Sequence, residues 1–582
     1  MIPQFNPLSS FYPLSLFANG EPGFWLDPSD FSTMYQTSDG VTPVTAVEQP
    51  VGLILDKSQG LVLGSELVTN GDFSNGTTGW TAGVNNTLSV VSGACKSITT
   101  SANGAFFGQS FAVVAGKTYK FQFDSISDGT SLAAYACLGT ANGISNRYPG
   151  ASIAFGTQRT FYYLSPNTET IWIWFYGGVG QPANNYILID NVSCKSLAGA
   201  HYYQSTAGVR PVLSGRVNGI SKTENLAVSP WIKTGGITSA TATTAPDGTS
   251  TAFAVLCAAN STAHQMYQLS VIAGTQVTNY VIAKQGTVPW LAVNFDSSAT
   301  VDGAFFNLAT GTKGTVAAGT TATIDPHPLY SGWYICTVTR TYTSANHYFG
   351  IEVHTADNQA AAYAAAGTET VLVWHPDLRP TDQATGLIPT YQRVNTSTDY
   401  DTAGFPLYLS SNGTQWMQCA TQDYTGVNKI MICAGVRKIS DAALAVVFEL
   451  SPTIASNNGA VLLSAPNSAA ANLNFSSKGT TQVDNVVTTY TSPNTTVLTG
   501  LGDISAPSNI VRVNGAQVGS VLSTQGTGNY GNYAGFLFAR NGASSMLTGN
   551  IYGLVGRGST VASNAAQISQ TELWTNNKTK AY

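Results

Sequence analysis

Nearly every apolar segment of this chain is short, and a turn containing Gly, Asn, Asp or Ser follows it. Within "TIWIWFYG", residues 170–177, successive side chains point to opposite faces of a strand. Helical spacing of apolar residues is confined to two brief stretches, 358–366 and 563–575. The pattern therefore predicts an all-β fold of tandem antiparallel β-sandwiches.

Charged residues make up only 9% of the 582 residues, and the formal net charge is −5. An ordinary soluble domain is about 25% charged, so Ser, Thr, Asn and 58 Gly must keep this surface hydrated. No basic block occurs, which excludes the electrostatic footprint of a general nucleic-acid-binding protein. With 43% apolar residues the chain is too hydrophobic to be disordered. Its length suggests three or four domains of roughly 100–200 residues.

The seven cysteines contain no CxxC pair and no zinc-ligand spacing. We therefore expect buried free thiols, in a chain made in a reducing cytosol, rather than a disulfide framework. Met1 is not followed by a signal peptide, and no apolar run approaches the ~20 residues that span a bilayer. We expect no membrane insertion. A Ser- and Thr-rich surface without an export signal fits a protein that is assembled in the host cytoplasm and released by lysis in a virion.

Residues 1–64 contain seven prolines, each of which removes a backbone donor and fixes its own φ. A long regular element is therefore not expected. The segment is predicted to be extended and laid along another surface, with its aromatic residues as anchors. A loop-rich lead-in that packs on the following domain is an equally good interpretation.

Two units with the same internal order follow, at 65–198 and 224–390, with a linker predicted at 199–223. Each unit opens with Asn and Trp, contains an Ala-Gly turn before a long strand, and closes with an apolar strand that ends in Asp. These turns are Ala115-Gly116-Lys117 and Ala273-Gly274-Thr275. The shared order indicates an internal repeat of about 140 residues. A third β-unit is predicted at 391–582, where Asn514-Gly515 is a strong hairpin signal.

The segments "ELVTNGDFSNGTTGW", "VVAGKTYKFQFD" and "YILIDNVSC" in the first unit resemble the jelly-roll carbohydrate-binding modules of glycoside hydrolases. In the second unit, "APDGTSTAFAV", "GWYICTVTR" and "ETVLVWHPDLRP" resemble a related jelly-roll module of phage structural proteins. The third unit, with "VRVNGAQV" and "GNIYGLVGRG", is similar to laminin-G or concanavalin-like sandwiches. The resemblance implies two jelly rolls followed by a sandwich of that third type.

The lead-in "LFANGEPGFWLDPSDF" and the joins "RPVLSGRVNG" and "PTYQRVNTSTDYDTAGFPLYL" resemble tail-fibre and virion-associated proteins of tailed bacteriophages. This resemblance implies a non-enzymatic virion protein, a tail fibre or adhesin. Residues 1–64 would attach it to other phage structural proteins of the tail or capsid, and its β-sandwiches would bind host polysaccharide or lipopolysaccharide. A homo-oligomer is expected, although the sequence contains no heptad or collagen-like repeat that would indicate a trimer. The alternatives are a head fibre or decoration protein with a structural role, and a polysaccharide depolymerase.

Catalytic signatures are sparse in the sequence. Glycoside hydrolysis requires two carboxylates at a defined separation, and the nearest acidic pairs in the first 130 residues are Asp27 with Asp30 and Asp124 with Asp128. Asp in turns more often caps a backbone N–H. No nucleophile elbow, P-loop or His-Glu-x-x-His motif occurs, and the six histidines never pair at ligand spacing. We therefore expect no enzymatic activity, no cofactor and no metal.

Sugar binding is the sharper hypothesis, because a pyranose stacks its apolar CH face on Trp or Tyr. The candidate carbohydrate-binding residues are Trp172, Trp174, Tyr176, Trp290 and Trp374. The first three share one face of a predicted strand. Alternating aromatics more often form one face of a core, so a core role remains the favoured interpretation of that stripe.

Overall fold

The computed structural model describes residues 11–102, 104–150, 155–271, 276–297, 301–341, 347–384 and 390–582. Its strands all pair antiparallel and form six sheets, which face each other in three β-sandwiches. The all-β fold of several antiparallel sandwiches is therefore confirmed.

The chain begins with three short strands and two 3₁₀ turns, Pro13–Phe17 and Phe31–Thr33. The strands are β1 (Gly23–Leu26), β2 (Met34–Tyr35) and β3 (Leu53–Ile54). Ten strands that we call the first module follow: β4 (Leu63–Glu66), β5 (Thr81–Ala82), β6 (Asn86–Val91), β7 (Ala94–Thr99), β8 (Phe106–Val113), β9 (Thr118–Ser125), β10 (Tyr135–Gly139), β11 (Gly156–Leu164), β12 (Glu169–Tyr176) and β13 (Tyr186–Leu197).

Two short strands, β14 (Tyr202–Tyr203) and β15 (Val212–Ser214), flank a 3₁₀ turn at Ala207–Val209. Twelve strands that we call the second module come next: β16 (Ile232–Lys233), β17 (Ile237–Thr243), β18 (Ala252–Cys257), β19 (Gln265–Leu269), β20 (Gln276–Gln285), β21 (Trp290–Asn294), β22 (Ala304–Asn307), β23 (Thr312–Val316), β24 (Thr320–Pro326), β25 (Tyr334–Thr341), β26 (Tyr348–His354) and β27 (Thr370–Pro380).

After a 3₁₀ turn at Thr381–Gln383, the C-terminal part contains twelve strands and the helix α1 (Ala565–Thr579). The strands are β28 (Tyr408–Asn412), β29 (Met417–Asp423), β30 (Lys429–Lys438), β31 (Val446–Leu450), β32 (Val461–Ser464), β33 (Asn472–Lys478), β34 (Gln482–Thr488), β35 (Asn494–Asp503), β36 (Ser508–Val513), β37 (Ala516–Val521), β38 (Asn532–Leu537) and β39 (Thr548–Ser559). The predicted hairpin is present between β36 and β37, where Asn514 and Gly515 have φ values of 51° and 78°.

The two modules share one strand order. Sheet β5-β8-β12-β10 of the first module corresponds to β16-β19-β26-β21 of the second, and β6-β7-β13-β9-β11 corresponds to β17-β18-β27-β20-β25. This order agrees with the internal repeat predicted from the sequence. The Ala115–Lys117 turn lies between β8 and β9 as expected. The matching turn of the second unit, 273–275, lies outside the described residues.

The third sandwich, which we call the base sandwich, is assembled from three separate parts of the chain. One sheet runs β15-β28-β39-β30-β35-β36-β37 with β1 beside β39, and the other runs β2-β3-β14-β29-β38-β31-β32-β33-β34. Residues 11–64 are therefore not an extended segment, because Phe24, Met34 and Ile54 lie fully buried in the base core. Residues 199–223 are likewise not only a linker, since β14 and β15 extend both base sheets.

Both modules are insertions in the base sandwich, and the chain is held together where each insertion begins and ends. At the first module, the Asp56 carboxylate accepts the Ala200 N–H at 2.7 Å, and the Asp56 N–H donates to Nδ1 of His201 at 2.9 Å. At the second module, the side-chain oxygen of Gln392 accepts the N–H groups of Val217 and Asn218. These contacts hold together the two chain segments that enter and leave each inserted module.

Helix α1 covers the outer face of the base sheet that contains β30 and β39. Its first turn is closed by a reciprocal capping box, in which Asn564 and Gln567 each bond the other's backbone N–H. The sequence predicted only a brief turn here, and the helix instead runs for 15 residues. Residues 358–366 form no helix. In the described part of the chain, no helix has both the length and the apolar character needed to cross a membrane.

All seven cysteines are buried thiols, as predicted. Burial raises the pKa of the thiols of Cys95, Cys137 and Cys433 to about 12. Thiols with so little thiolate at neutral pH are poor nucleophiles, so these residues act as small apolar side chains of the cores.

Candidate functional site

Strand β12 of the first module presents two different faces. Ile171, Ile173 and Phe175 lie in the module core with no exposed surface. Trp172, Trp174 and Tyr176 point away from that core, because side chains alternate along a strand. The core role favoured for this stripe is therefore wrong, and the stripe lies on the outer face of the sheet β5-β8-β12-β10.

Neighbouring strands extend the stripe into a wider aromatic face, which we define as Phe106, Tyr135, Trp172, Trp174 and Tyr176. Tyr135 on β10 and Phe106 on β8 lie directly opposite Tyr176. The ring centroids of Tyr135 and Tyr176 are 6.2 Å apart, and those of Trp174 and Tyr176 are 5.7 Å apart. The sequence interpretation missed Phe106 and Tyr135, since only the pairing of distant strands brings them to this face.

A loop of residues 140–146, which we call the crossing loop, passes over the middle of the aromatic face. The indole Nε1–H of Trp174 donates to the Ile144 carbonyl at 2.9 Å, and the Asn142 amide donates to the Thr81 carbonyl at 3.3 Å. Gly139 permits this close approach, because a Cβ there would collide with the Ile144 carbonyl oxygen. Trp174 is only 7% exposed as a result. Trp172 and Tyr176, the next outward residues of β12 on either side of Trp174, remain half-buried.

Arg147, which follows the crossing loop, forms an ion pair with Glu169 at the start of β12, so the two charges neutralise each other. The guanidinium binds the carboxylate through two hydrogen bonds of 2.6 and 2.7 Å. Those hydrogen bonds hold the pKa of Glu169 below its usual value and raise the pKa of Arg147. Burial, with a smaller contribution from Cys137, raises the pKa of Tyr176, so its hydroxyl stays protonated at neutral pH. The face therefore offers neutral aromatic surface and hydroxyl groups.

The second module does not repeat the aromatic stripe. Its strand β26, which corresponds to β12, carries Glu352 and His354, and both side chains are fully buried. The Glu352 carboxylate is 2.9 Å from Nε2 of His354 and accepts the Asn294 amide at 2.5 Å. Burial raises the pKa of Glu352. Trp290 is half-buried opposite His354, and Gly314 lies against its ring.

Trp374 lies in a small second core on the outer face of the sheet that contains β27. It is 4% exposed and packs with Ile282 and Trp333. Its indole N–H donates to Thr251 at 2.9 Å, and the His375 ring stacks at 3.7 Å between centroids. A ring enclosed in this way offers no face to a sugar. The structure therefore does not support Trp374 as a carbohydrate-binding residue.

The two acidic pairs considered for catalysis make structural contacts. Asp30 binds the Lys57 ammonium at 2.6 Å, and Asp27 lies 3.1 Å from the Lys578 ammonium. Asp128 accepts backbone N–H groups of its own turn and the Tyr186 hydroxyl. Among the described residues, no group of three or more His, Cys, Asp or Glu side chains could hold a metal ion.

Comparison with known proteins gives distant likenesses. No protein-family model matches the chain, and no curated protein matches it. A tandem CBM22 domain of Paenibacillus barcinonensis Xyn10C is 12% identical, with 55% of this chain and 98% of that chain covered and a TM-score of 0.20. The Ruminococcus gnavus IT-sialidase CBM40, bound to α2,3-sialyllactose, is 12% identical over 25% of this chain and 83% of that chain, at a TM-score of 0.20.

Laminin domains give a third likeness. Domains LG4-5 of the mouse laminin α1 chain are 9% identical, with 59% of this chain and 92% of that chain covered and a TM-score of 0.22. TM-scores this low carry no functional information.

Proposed function

We propose that this protein is a non-enzymatic virion protein of a tailed bacteriophage, a fibre or adhesin that binds a host-surface glycan through the aromatic face of its first module. The observation that carries the proposal is that Trp172 and Tyr176 are only half-buried on the outer face of β12. They flank Trp174, which the crossing loop covers. A pyranose packs its CH face on such a ring. Two rings separated by a covering loop suit two sugar units of one chain.

The aromatic face is preorganised. Strand β12 is paired on both sides, with β10 and β8, and its inner side chains are locked in the core. A ring held on such a strand loses little conformational entropy when a ligand binds, so more of the contact energy remains as affinity. Ser110, exposed and directly opposite Trp172, supplies a hydroxyl beside the ring for a sugar hydroxyl.

In this proposal the base sandwich is the part of the protein that binds the virion. Residues 1–64 were expected to act as a separate anchor, but the described residues 11–64 complete both base sheets. A binding surface for other phage structural proteins therefore includes base strands as well as the N-terminal region. The two modules are insertions in the base sandwich, and the glycan site lies on the first of them.

Two other functions use the same sandwiches. A head fibre or decoration protein would have a structural role and no sugar affinity. A depolymerase would cleave the polysaccharide, and the structural engagement of Asp27, Asp30 and Asp128 disfavours it.

The test is a glycan array and host-polysaccharide binding assay with the intact chain, beside Trp172→Ala and Leu329→Ala. Leu329 is 78% exposed on the second module and serves as the control. The proposal expects binding that Trp172→Ala weakens about tenfold or more and Leu329→Ala preserves, with no release of reducing ends. Absence of any glycan binding would favour the decoration role, and released reducing ends would favour the depolymerase. Immunolabelling of virions would then distinguish tail from head.

A further inference from the structure

A cavity of about 510 Å³ lies where the first module meets the base sandwich. On one side are Tyr35 and Gly40 of the base sandwich, and on the other are Lys120, Arg159 and Tyr162 of the first module. We call it the junction pocket. It opens on the sheet that contains β9 and β11, which faces the sheet of the aromatic face across the module core.

Lys120 is a cation without an anionic partner. It lies directly between Tyr162 on β11 and Lys195 on β13, so two like charges face each other across neighbouring strands. Lys195 has Glu66 at 3.8 Å, whereas the Lys120 ammonium has no hydrogen bond or ion pair with any described residue. Partial burial, and then the repulsion of Lys195, lowers the pKa of Lys120. An anion in the pocket would relieve both effects.

Arg159 also lines the pocket, but it lies opposite Phe123, whose side chain is in the module core, so its side chain is on the other face of β11 from Tyr162. Its guanidinium folds back against Gly156 and donates to the Phe155 carbonyl. Its Nε–H is buried and has no acceptor among the described residues. No ion pair joins Arg159 to a described carboxylate. Lys120 is therefore the cation that faces the pocket, in a chain that is only 9% charged and has net charge −5.

Two tyrosine hydroxyls complete the lining. The hydroxyls of Tyr35 and Tyr162 are hydrogen-bonded at 3.0 Å. Whichever of them donates in that bond, the other keeps a proton that can be donated to a ligand. Burial raises the pKa of Tyr162 well above its usual value, so the pair stays neutral and able to donate.

We propose that the junction pocket binds a sugar that carries an oxyanion, a carboxylate or a phosphate group. The Lys120 ammonium pairs with the oxyanion, and the tyrosine hydroxyls meet neighbouring sugar hydroxyls. The site is separate from the aromatic face, which has no unpaired cation, and it gives the first module two sites of different chemistry. Binding at one can therefore fail while binding at the other persists.

Calorimetry of the intact chain with glucuronate, inorganic phosphate and glucose tests this proposal. Glucuronate and glucose share a ring but differ by a carboxylate, so we expect glucuronate to bind at least about tenfold more tightly. Phosphate binding that competes with glucuronate shows that the oxyanion is what the pocket holds. Rising salt is expected to weaken both, since the interaction is between charges.

Lys120→Gln is the variant, with the exposed Lys117→Gln of the same module as the matched control. We expect Lys120→Gln to lower glucuronate affinity about fivefold or more and the control to leave it unchanged. Lys120→Gln removes the repulsion from Lys195, so the melting temperature should not fall, which separates lost binding from lost folding. Equal affinity for glucose and glucuronate would overturn the proposal. So would a Lys120→Gln protein that binds glucuronate as well as Lys117→Gln does.

Discussion

The ring of Phe24 packs against the ring of Phe448 with 4.7 Å between their centroids. Phe24 lies in the N-terminal region and Phe448 in the C-terminal part of the chain, and both are fully buried in the base core. Two modules are inserted between them in sequence. The base sandwich is therefore a discontinuous domain, and its stability depends on the N-terminal region.

Phe24→Ala should lower the free energy of unfolding of the base sandwich by about 3–5 kcal/mol, because it leaves a cavity in a packed core. Denaturant titration of the intact chain measures this change. Leu522→Ala, at a residue of the same sandwich that is 75% exposed, is the control and should stay within about 0.5 kcal/mol of the unaltered chain. A Phe24→Ala protein as stable as this control would show that residues 11–64 only lie on the sandwich.

Trp374→Ala should destabilise the second module by about 3–5 kcal/mol and leave glycan affinity unchanged. The reason is that Trp374 fills a small core and bonds Thr251 instead of facing solvent. Thermal unfolding and glycan titration on the same sample check both parts. Loss of glycan affinity in a Trp374→Ala protein that remains folded would show that Trp374 does contribute to carbohydrate binding.

Trp174→Phe should keep glycan affinity within about threefold, since Trp174 is covered by the crossing loop. The change removes one hydrogen bond to Ile144, which contributes about 0.5–1.5 kcal/mol. Amide hydrogen exchange in residues 140–146 should accordingly become faster. A loss of affinity as large as that of Trp172→Ala would mean that the crossing loop moves away when the ligand binds.

His201 makes the fold sensitive to acid. Burial lowers its pKa from 6.5 to about 4, so the unfolded chain binds the proton more readily between these values. Stability contributed by neutral His201 is therefore present above pH 6.5 and is lost as the pH falls toward 4. The loss amounts to about 3 kcal/mol.

His201→Asn isolates this effect, because an amide oxygen can replace Nδ1 as the acceptor of the Asp56 N–H. The neighbouring Asp56 has its pKa raised by burial to about 6, which contributes a pH dependence of opposite sign. Subtracting the unfolding free energies of His201→Asn from those of the unaltered chain at each pH cancels the Asp56 contribution. A difference that stays constant from pH 7 to pH 4 would contradict the assignment.

The sequence predicted local features well and non-local assembly poorly. Alternation at 170–177 correctly placed Trp172 and Ile171 on opposite faces. The sequence could not show which face of this strand is buried in the core, because that depends on the strands on the other side of the sandwich. The fold of the N-terminal region was harder to predict. Its strand β1 is four residues long and lies between Pro22 and Pro28, and its partner β39 lies at the other end of the chain. No local pattern encodes such pairing.

The candidate site was predicted in part for the same reason. Trp172 and Tyr176 could be named from one strand, whereas Tyr135 and Phe106 join them only through pairing with β10 and β8. Trp374 looked equivalent in sequence, but Trp333 and Ile282 from other strands enclose it. Exposure of an aromatic ring depends on loops and strands that are far away in the chain.

The affinity of Trp172→Ala for the host glycan, measured by calorimetry beside Leu329→Ala, tests the central claim most directly. Trp172 is half-buried and makes no side-chain hydrogen bond to another described residue, so its loss should spare the fold. The account predicts an affinity loss of about tenfold or more, equivalent to about 1.4 kcal/mol, with a melting temperature like that of the control. Unchanged affinity in Trp172→Ala would contradict it.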